Sequence, residues 1–246
     1  MIRVFIGYDS QEPVSFHVAA HSLLRHAKQP VSITGLVLSQ LPMTRARDPR
    51  QSTDFAFSRF LVPYLCGFSG AAVFVDCDVL FRADVGELVD AADLSRPVSV
   101  VKHSYTPRDG SKFLAHEQRA YRCKNWSSVM VFNSGIAECR TLTPEYVNNA
   151  SGLELHQFAW AADERIAALP RSWNHLVGEY KPNPTAKLVH FTLGTPCFAR
   201  YRDCEFAREW FEELDLVRYY DRRGEFSRPV REEPLGMPIA LAEECN

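Results

Sequence analysis

The chemistry-bearing centre of this sequence is a pair of aspartates separated by one residue. They close the run Gly70-Ala71-Ala72-Val73-Phe74-Val75-Asp76-Cys77-Asp78-Val79-Leu80-Phe81. The run is short, β-branched and aromatic, and a glycine precedes it, which predicts a buried central strand over 71–76. Alternate side chains of an extended chain point the same way. Asp76 and Asp78 are therefore expected to share one side, with Cys77 on the other. Two carboxylates side by side repel unless a cation lies between them, and a divalent ion held by oxygen ligands answers that need. The competing reading is that both are turn residues ending a strand.

Other residues of the right type lie far away in the chain. His190 sits in Lys-Leu-Val-His-Phe, which reads as a late strand leading into a turn with Gly194. The plain reading of such a histidine is a backbone contact at a strand end, and the functional one is a metal ligand. Tyr8 and Asp9 end the first strand, where a tyrosine ring could stack on a flat base and a carboxylate accept from a base N–H, or Asp9 could shape the turn into a helix. Arg59 precedes the central strand, suited to a salt bridge or to a bound phosphate. His17 and His21 are four apart, but no third ligand accompanies them, and they read as partly exposed helix residues.

These residues need elements to position them. Ile2–Gly7 reads as a strand. A helix follows to about Ala27, with Ser10 at its cap, Pro13 in its first turn and an apolar face of Val14, Val18, His21 and Leu24. Strand 32–38 completes a βαβ opening. Residues 39–52 carry two prolines and the arginines Arg45, Arg47 and Arg50, and read as a loop over a site. Thr53–Cys66 reads as a helix bearing Arg59. Asp84 to Glu87 has capping-box spacing and starts a short helix. Strands are expected at 98–102, 127–132 and 187–191, a polar excursion at Thr106–Asn125, interrupted helix from Pro144 to Leu169, and a last amphipathic helix over Phe206–Tyr220. The expected fold class is α/β, with one mixed, mainly parallel sheet and helices on both faces.

Bulk properties narrow the classes. The chain has 246 residues, enough for a substantial core, with 46% hydrophobic and 24% charged residues. A formal net charge of -2 gives no basis for nucleic-acid binding. Apolar runs are too short for a transmembrane segment, and residues 1–9 lack a signal-peptide core. Seven cysteines, an odd number without a C-x-x-C pair, fit reduced thiols and a cytoplasmic setting. Residues 1–221 are expected to form one domain and 222–246 a tail.

With strand, helix, strand, Arg59 and then Asp76-Cys77-Asp78 in order, the chain resembles nucleotide-sugar glycosyltransferases of the GT-A fold. The nearest likeness is to the retaining group (glycosyltransferase family 8) that includes glycogenin and bacterial lipooligosaccharide galactosyltransferases. It extends over roughly residues 1–200 and rests on Tyr8-Asp9, Phe57-Ser58-Arg59-Phe60, Asp76-Cys77-Asp78 with the Glu87-Leu88 helix, and Val189-His190-Phe191-Thr192 with Gly194. The resemblance implies Mn²⁺ (or Mg²⁺) held by Asp76, Asp78 and His190. It implies a nucleotide-sugar donor, with UDP the usual nucleotide, contacted by Tyr8, Asp9, Arg59, Asp76, Ser127 and Gly194. The acceptor it implies is a saccharide, lipid-linked or protein molecule. The acid under the donor sugar falls on Asp163, with Glu164 beside it, unless Asp163 is an exposed helix charge.

The sequence departs from that pattern twice. Where the family reads Asn, small residue, Gly before its fourth apolar run, this chain has Trp126, Ser127 and Ser128. The family's diphosphate lysine after the histidine is missing, and Arg59 or Arg200 stands as its substitute. Two other functions fit parts of the pattern: a haloacid-dehalogenase-like phosphatase with Asp76 as nucleophile, and a non-catalytic nucleotide-sugar-binding relative.

Overall fold

The computed structural model describes residues 1–47, 51–104 and 123–218. Arg50, most of the expected 106–125 excursion, the end of the last helix and the 222–246 tail lie outside the described residues.

β1 (Ile2–Gly7) and β2 (Val31–Leu36) pair in parallel, joined by α1 (Pro13–His26), as the βαβ reading expects. β1 also pairs in parallel with β3 (Ala71–Val75). The main sheet continues through β6 (Val129–Asn133), β5 (Val98–Val100) and β7 (Ile166–Ala168), in the order β2-β1-β3-β6-β5-β7. β6 runs antiparallel to both its neighbours and β7 runs parallel to β5, so the sheet is mixed.

One expectation about this sheet is corrected. The late strand β9 (Leu188–His190) is not part of it. β9 stands between β4 (Val79–Phe81) and β8 (His175–Leu176) in a second, three-stranded sheet. The Asp-Cys-Asp segment is therefore a bend between two sheets rather than the end of one strand. Asp76 N–H still donates to Ser128 O on the β6 side at 2.9 Å, whereas Asp78 O already accepts from Phe191 N–H on the β9 side at 2.9 Å. Backbone pairing is handed from one sheet to the other within three residues.

The helices depart from the sequence pattern for identifiable reasons. The buried face of α1 is Ser15, Val18, Ala19, Ser22 and Leu23, while Leu24 is 55% exposed. The two buried serines escape a hydrophobic-period reading because their hydroxyls are satisfied: Ser15 donates to Glu12, and Ser22 donates to Ala19 O while accepting from Phe81 N–H. Ser10 does not cap α1; its hydroxyl donates to Asp54. His21 meets the buried Glu213 of α6 (Ala207–Arg218) at 2.6 Å, beside Arg25. Residues 53–66 form turns, a 3-10 segment (Ser58–Leu61) and a short α2 (Val62–Leu65), not one helix; Pro63 has no N–H to continue an earlier ladder.

Asp84 caps α3 (Val85–Asp90) through Gly86 N–H, but Glu87 pairs with Lys187 rather than closing a capping box. The stretch from Pro144 divides into α4 (Pro144–Asn149), α5 (Gly152–His156) and, against expectation, the strand β7 at 166–168.

Most buried apolar side chains belong to one core around the main sheet. A second cluster, with Val18, Leu80, Val189, Phe191, Trp210 and Leu214, joins the small sheet to α1 and α6. Gly7 is required by a close approach: a Cβ there would lie 2.4 Å from Phe55 Cδ2. Phe55 in turn carries part of the site, because its ring lies under Arg59.

Candidate active site

Asp76, Asp78 and His190 meet where the two sheets join. One ligand atom from each lies within 4.8 Å of the others. His190 Nε2 is 3.4 Å from Asp78 Oδ1 and 4.0 Å from Asp76 Oδ2. The three ligand atoms are close enough together to share one cation. The set is two carboxylates and one imidazole, a mixed O/N donor set that could hold a divalent cation. Cys77, between them, is buried in the main core.

Each member is held from behind. His190 Nδ1 is 3.0 Å from Asn174 Oδ1, and Asn174 Nδ2 donates to Ser128 Oγ at 2.8 Å and toward Asn125 O at 3.3 Å. With its NH₂ committed to acceptors, Asn174 offers its oxygen to the ring, so Nδ1 carries the proton and Nε2 turns its lone pair to the carboxylates. Arg59 Nη1 pairs with Asp76 Oδ1 at 2.7 Å and donates to Ser127 O at 3.0 Å. Its guanidinium lies over Phe55 and Phe74, 5.2 and 5.1 Å from the ring centres, and the residue is 5% exposed. Of the two sequence readings of Arg59, the geometry is that of the salt bridge.

The other expected residues are placed as follows. Asp9 is fully buried; its oxygens accept from Gln11 N–H at 2.9 Å and Asp54 N–H at 3.2 Å. It therefore shapes the turn into α1, and burial pushes its carboxyl above the usual range. Tyr8 is half-buried, edge-on to Phe16 at 5.7 Å. Gly194 has φ +145, a conformation that favours glycine, and its N–H closes a turn onto Phe191 O at 2.7 Å. Arg200 is exposed beside Tyr201.

Ser127 lies next to Asp76 through Arg59, and its hydroxyl is 2.8 Å from His156 Nδ1. Asp163 is not brought to the cluster. It begins the 3-10 turn before β7, and Ile166 registers with Val98, which registers with Phe132, which registers with Ala72. That is the end of the sheet opposite Asp76. The residue that reaches Ser127 from this part of the chain is His156, at the end of α5.

Sequence reasoning missed Asn174, His156, Glu12 and His103. Glu12 is 3% exposed and accepts from Ser15 and Thr195. Burial, then the nearby charge of Asp78, pushes its carboxyl up to about 8. His103, after β5, is 2.8 Å from Tyr180 Oη; burial, then His190, pushes its imidazole down to about 3. None of the four carries a motif, since each is defined by a contact with a distant segment.

The chain is 41% identical over 222 residues to Protein CDI of Arabidopsis thaliana, spanning 87% of this chain and 86% of that protein. It belongs to the family of Protein CDI. No family model matches it. Among solved structures it is similar to the bifunctional glycosyltransferase WbbM, with a TM-score of 0.62 and 18% identity, over 87% of this chain and 49% of that one. The chain thus spans about half the length of WbbM. It is also similar to the galactosyltransferase LgtC in complex with donor and acceptor sugar analogues (TM-score 0.55, 11% identity, 90% and 98% covered). A third likeness is to GlyE of Streptococcus pneumoniae TIGR4 (TM-score 0.56, 13% identity, 87% and 60% covered). The CDI-family chain therefore has the GT-A-type fold of these glycosyltransferases.

Proposed function

We propose that this CDI-family protein is a metal-dependent glycosyltransferase that moves a hexosyl group from a UDP-sugar to a saccharide-bearing acceptor with retention. The observation that carries the reading is the convergence of Asp76, Asp78 and His190, from two segments over a hundred residues apart, on one edge of a glycosyltransferase fold. Asp76, Asp78 and His190 would hold Mn²⁺ or Mg²⁺, whose positive charge would stabilise the departing diphosphate. Asn174 fixes the imidazole, Arg59 fixes Asp76, and Ser127 with His156 lines the sugar side. Tyr8 offers its ring to the base and Gly194 keeps the late turn tight beside the diphosphate. Asp9 acts on the base only through the loop that it shapes.

Two features support the setting. No helix among the described residues is long and apolar enough to cross a membrane. Cys66, Cys77, Cys139, Cys197 and Cys204 are outside any disulfide, in keeping with a reducing, cytoplasmic compartment. The phosphatase alternative is not favoured: Asp76 is engaged by Arg59 and clustered with a histidine from another sheet, rather than presented as a nucleophile.

The test is to incubate the protein with a panel of nucleotide sugars, with and without Mn²⁺, and measure released nucleoside diphosphate. Mn²⁺-dependent release from one UDP-sugar is expected. Binding without turnover on any donor, or hydrolysis of simple phosphomonoesters with Mg²⁺, would overturn the proposal.

A further inference from the structure

On the far side of β8 from the metal-type cluster lies a cavity of about 390 Å³ lined by Arg171, His175, Glu179, Tyr180, Lys181 and Asn183. Leu176 of β8 is the register partner of His190, and Asn174 holds the His190 ring, so by alternation His175 faces away from the cluster, toward the cavity. The cavity is thus a place separate from the metal-type cluster.

The wall carries unbalanced positive charge. Glu205, behind the cavity, is committed: Oε2 is 3.0 Å from His175 Nε2 and Oε1 accepts from Asn183 N–H at 2.9 Å. Glu179 is the one carboxylate in the lining, and it is 4% exposed. Against it stand Arg171 and Lys181, both exposed, and no carboxylate among the described residues pairs with either. By contrast Arg25, Arg59, Arg82 and Arg165 each face an acid. Arg171 instead stacks on the Tyr180 ring at 4.9 Å, which holds the guanidinium in a fixed plane without consuming its N–H groups. A planar fork beside a flexible ammonium is the arrangement that recognises an oxyanion.

We propose that this cavity receives a saccharide ligand and that Arg171 and Lys181 recognise an oxyanion group on it, a phosphate or a carboxylate, while Tyr180, Asn183 and Glu179 face its hydroxyl-bearing part. The ligand is then an acidic saccharide or a sugar phosphate rather than a neutral sugar.

Calorimetric titration with glucose, glucuronate and glucose 6-phosphate, with Mn²⁺ and UDP present, tests this on the full chain. At least one charged probe is expected to bind about tenfold more tightly than glucose, the gain of one or two charge-assisted hydrogen bonds. Which probe gains distinguishes carboxylate from phosphate. The double variant Arg171→Ala/Lys181→Ala should lose that preference while keeping the melting temperature and the affinity for UDP. Equal binding of all three probes, no binding of any, or a preference that survives the double variant would overturn the proposal.

Discussion

Asn174 Oδ1 sits 3.0 Å from His190 Nδ1, and this one contact decides which imidazole nitrogen faces Asp76 and Asp78. The amide cannot turn over without losing its bonds to Ser128 and Asn125. A ring held in this tautomer presents Nε2 as a ligand before any cation arrives. Asn174→Ala should therefore weaken Mn²⁺ binding by about 10–100-fold, the usual effect of removing a partner behind a ligating histidine. Mn²⁺ titration followed by electron paramagnetic resonance reads it directly. An affinity equal to the parent's would mean that another group orients the ring.

Arg59 makes a different prediction because it is buried and paired. Arg59→Ala leaves Asp76 next to Asp78 without its cation, in a place 5% exposed for the arginine. Loss of about 3 kcal/mol in urea unfolding is expected for a broken buried pair. The difference in affinity between UDP and uridine should stay as it is. If that difference collapses while stability holds, Arg59 contacts the diphosphate instead.

Glu12 gives the fold a pH dependence of known sign. Its carboxyl is raised from 4.5 to about 8, by burial first and then by Asp78. The folded protein therefore keeps a proton that the unfolded chain releases. The resulting stability is fully present below about pH 4.5 and is lost as pH rises through about 8. Glu12→Gln keeps an acceptor for Ser15 and Thr195 without the ionisation. In chelator-treated protein the variant should gain stability over the parent progressively from pH 5 to pH 8, on the order of 3 kcal/mol at the upper end. A difference that does not change with pH would show that Glu12 ionises normally.

The legible parts of this molecule are those written in local pattern. Asp76 and Asp78 end an apolar β-branched run and His190 ends another, so the strands that carry all three are readable from local pattern; that the three meet was implied only by the resemblance. The second sheet was not legible, because the hand-over at Cys77 depends on pairing with Phe191, over a hundred residues later. Ile166–Leu169 reads as helix because Ala159, Ala162, Ile166 and Leu169 fall at helical spacing. Pairing of Ile166–Ala168 alongside Val98–Val100 overrides that spacing. Asp163 aligned with the family's acid by order alone, and order does not say at which end of a strand a residue stands. His156 and Asn174 have no motif, since their roles arise from Ser127 and His190 across the fold.

The central claim is that His190 and Asp78 act on one ion in one donor site. Calorimetric titration of UDP with Mn²⁺ into the parent, His190→Ala, Asp78→Asn and the double variant measures this most directly. The account predicts that each single change weakens Mn²⁺-dependent UDP binding, that the double change costs less than the sum because both residues serve the same ion, and that melting temperatures stay close to the parent's. If His190→Ala binds Mn²⁺ and UDP as the parent does, the two residues do not share a metal and the account is wrong.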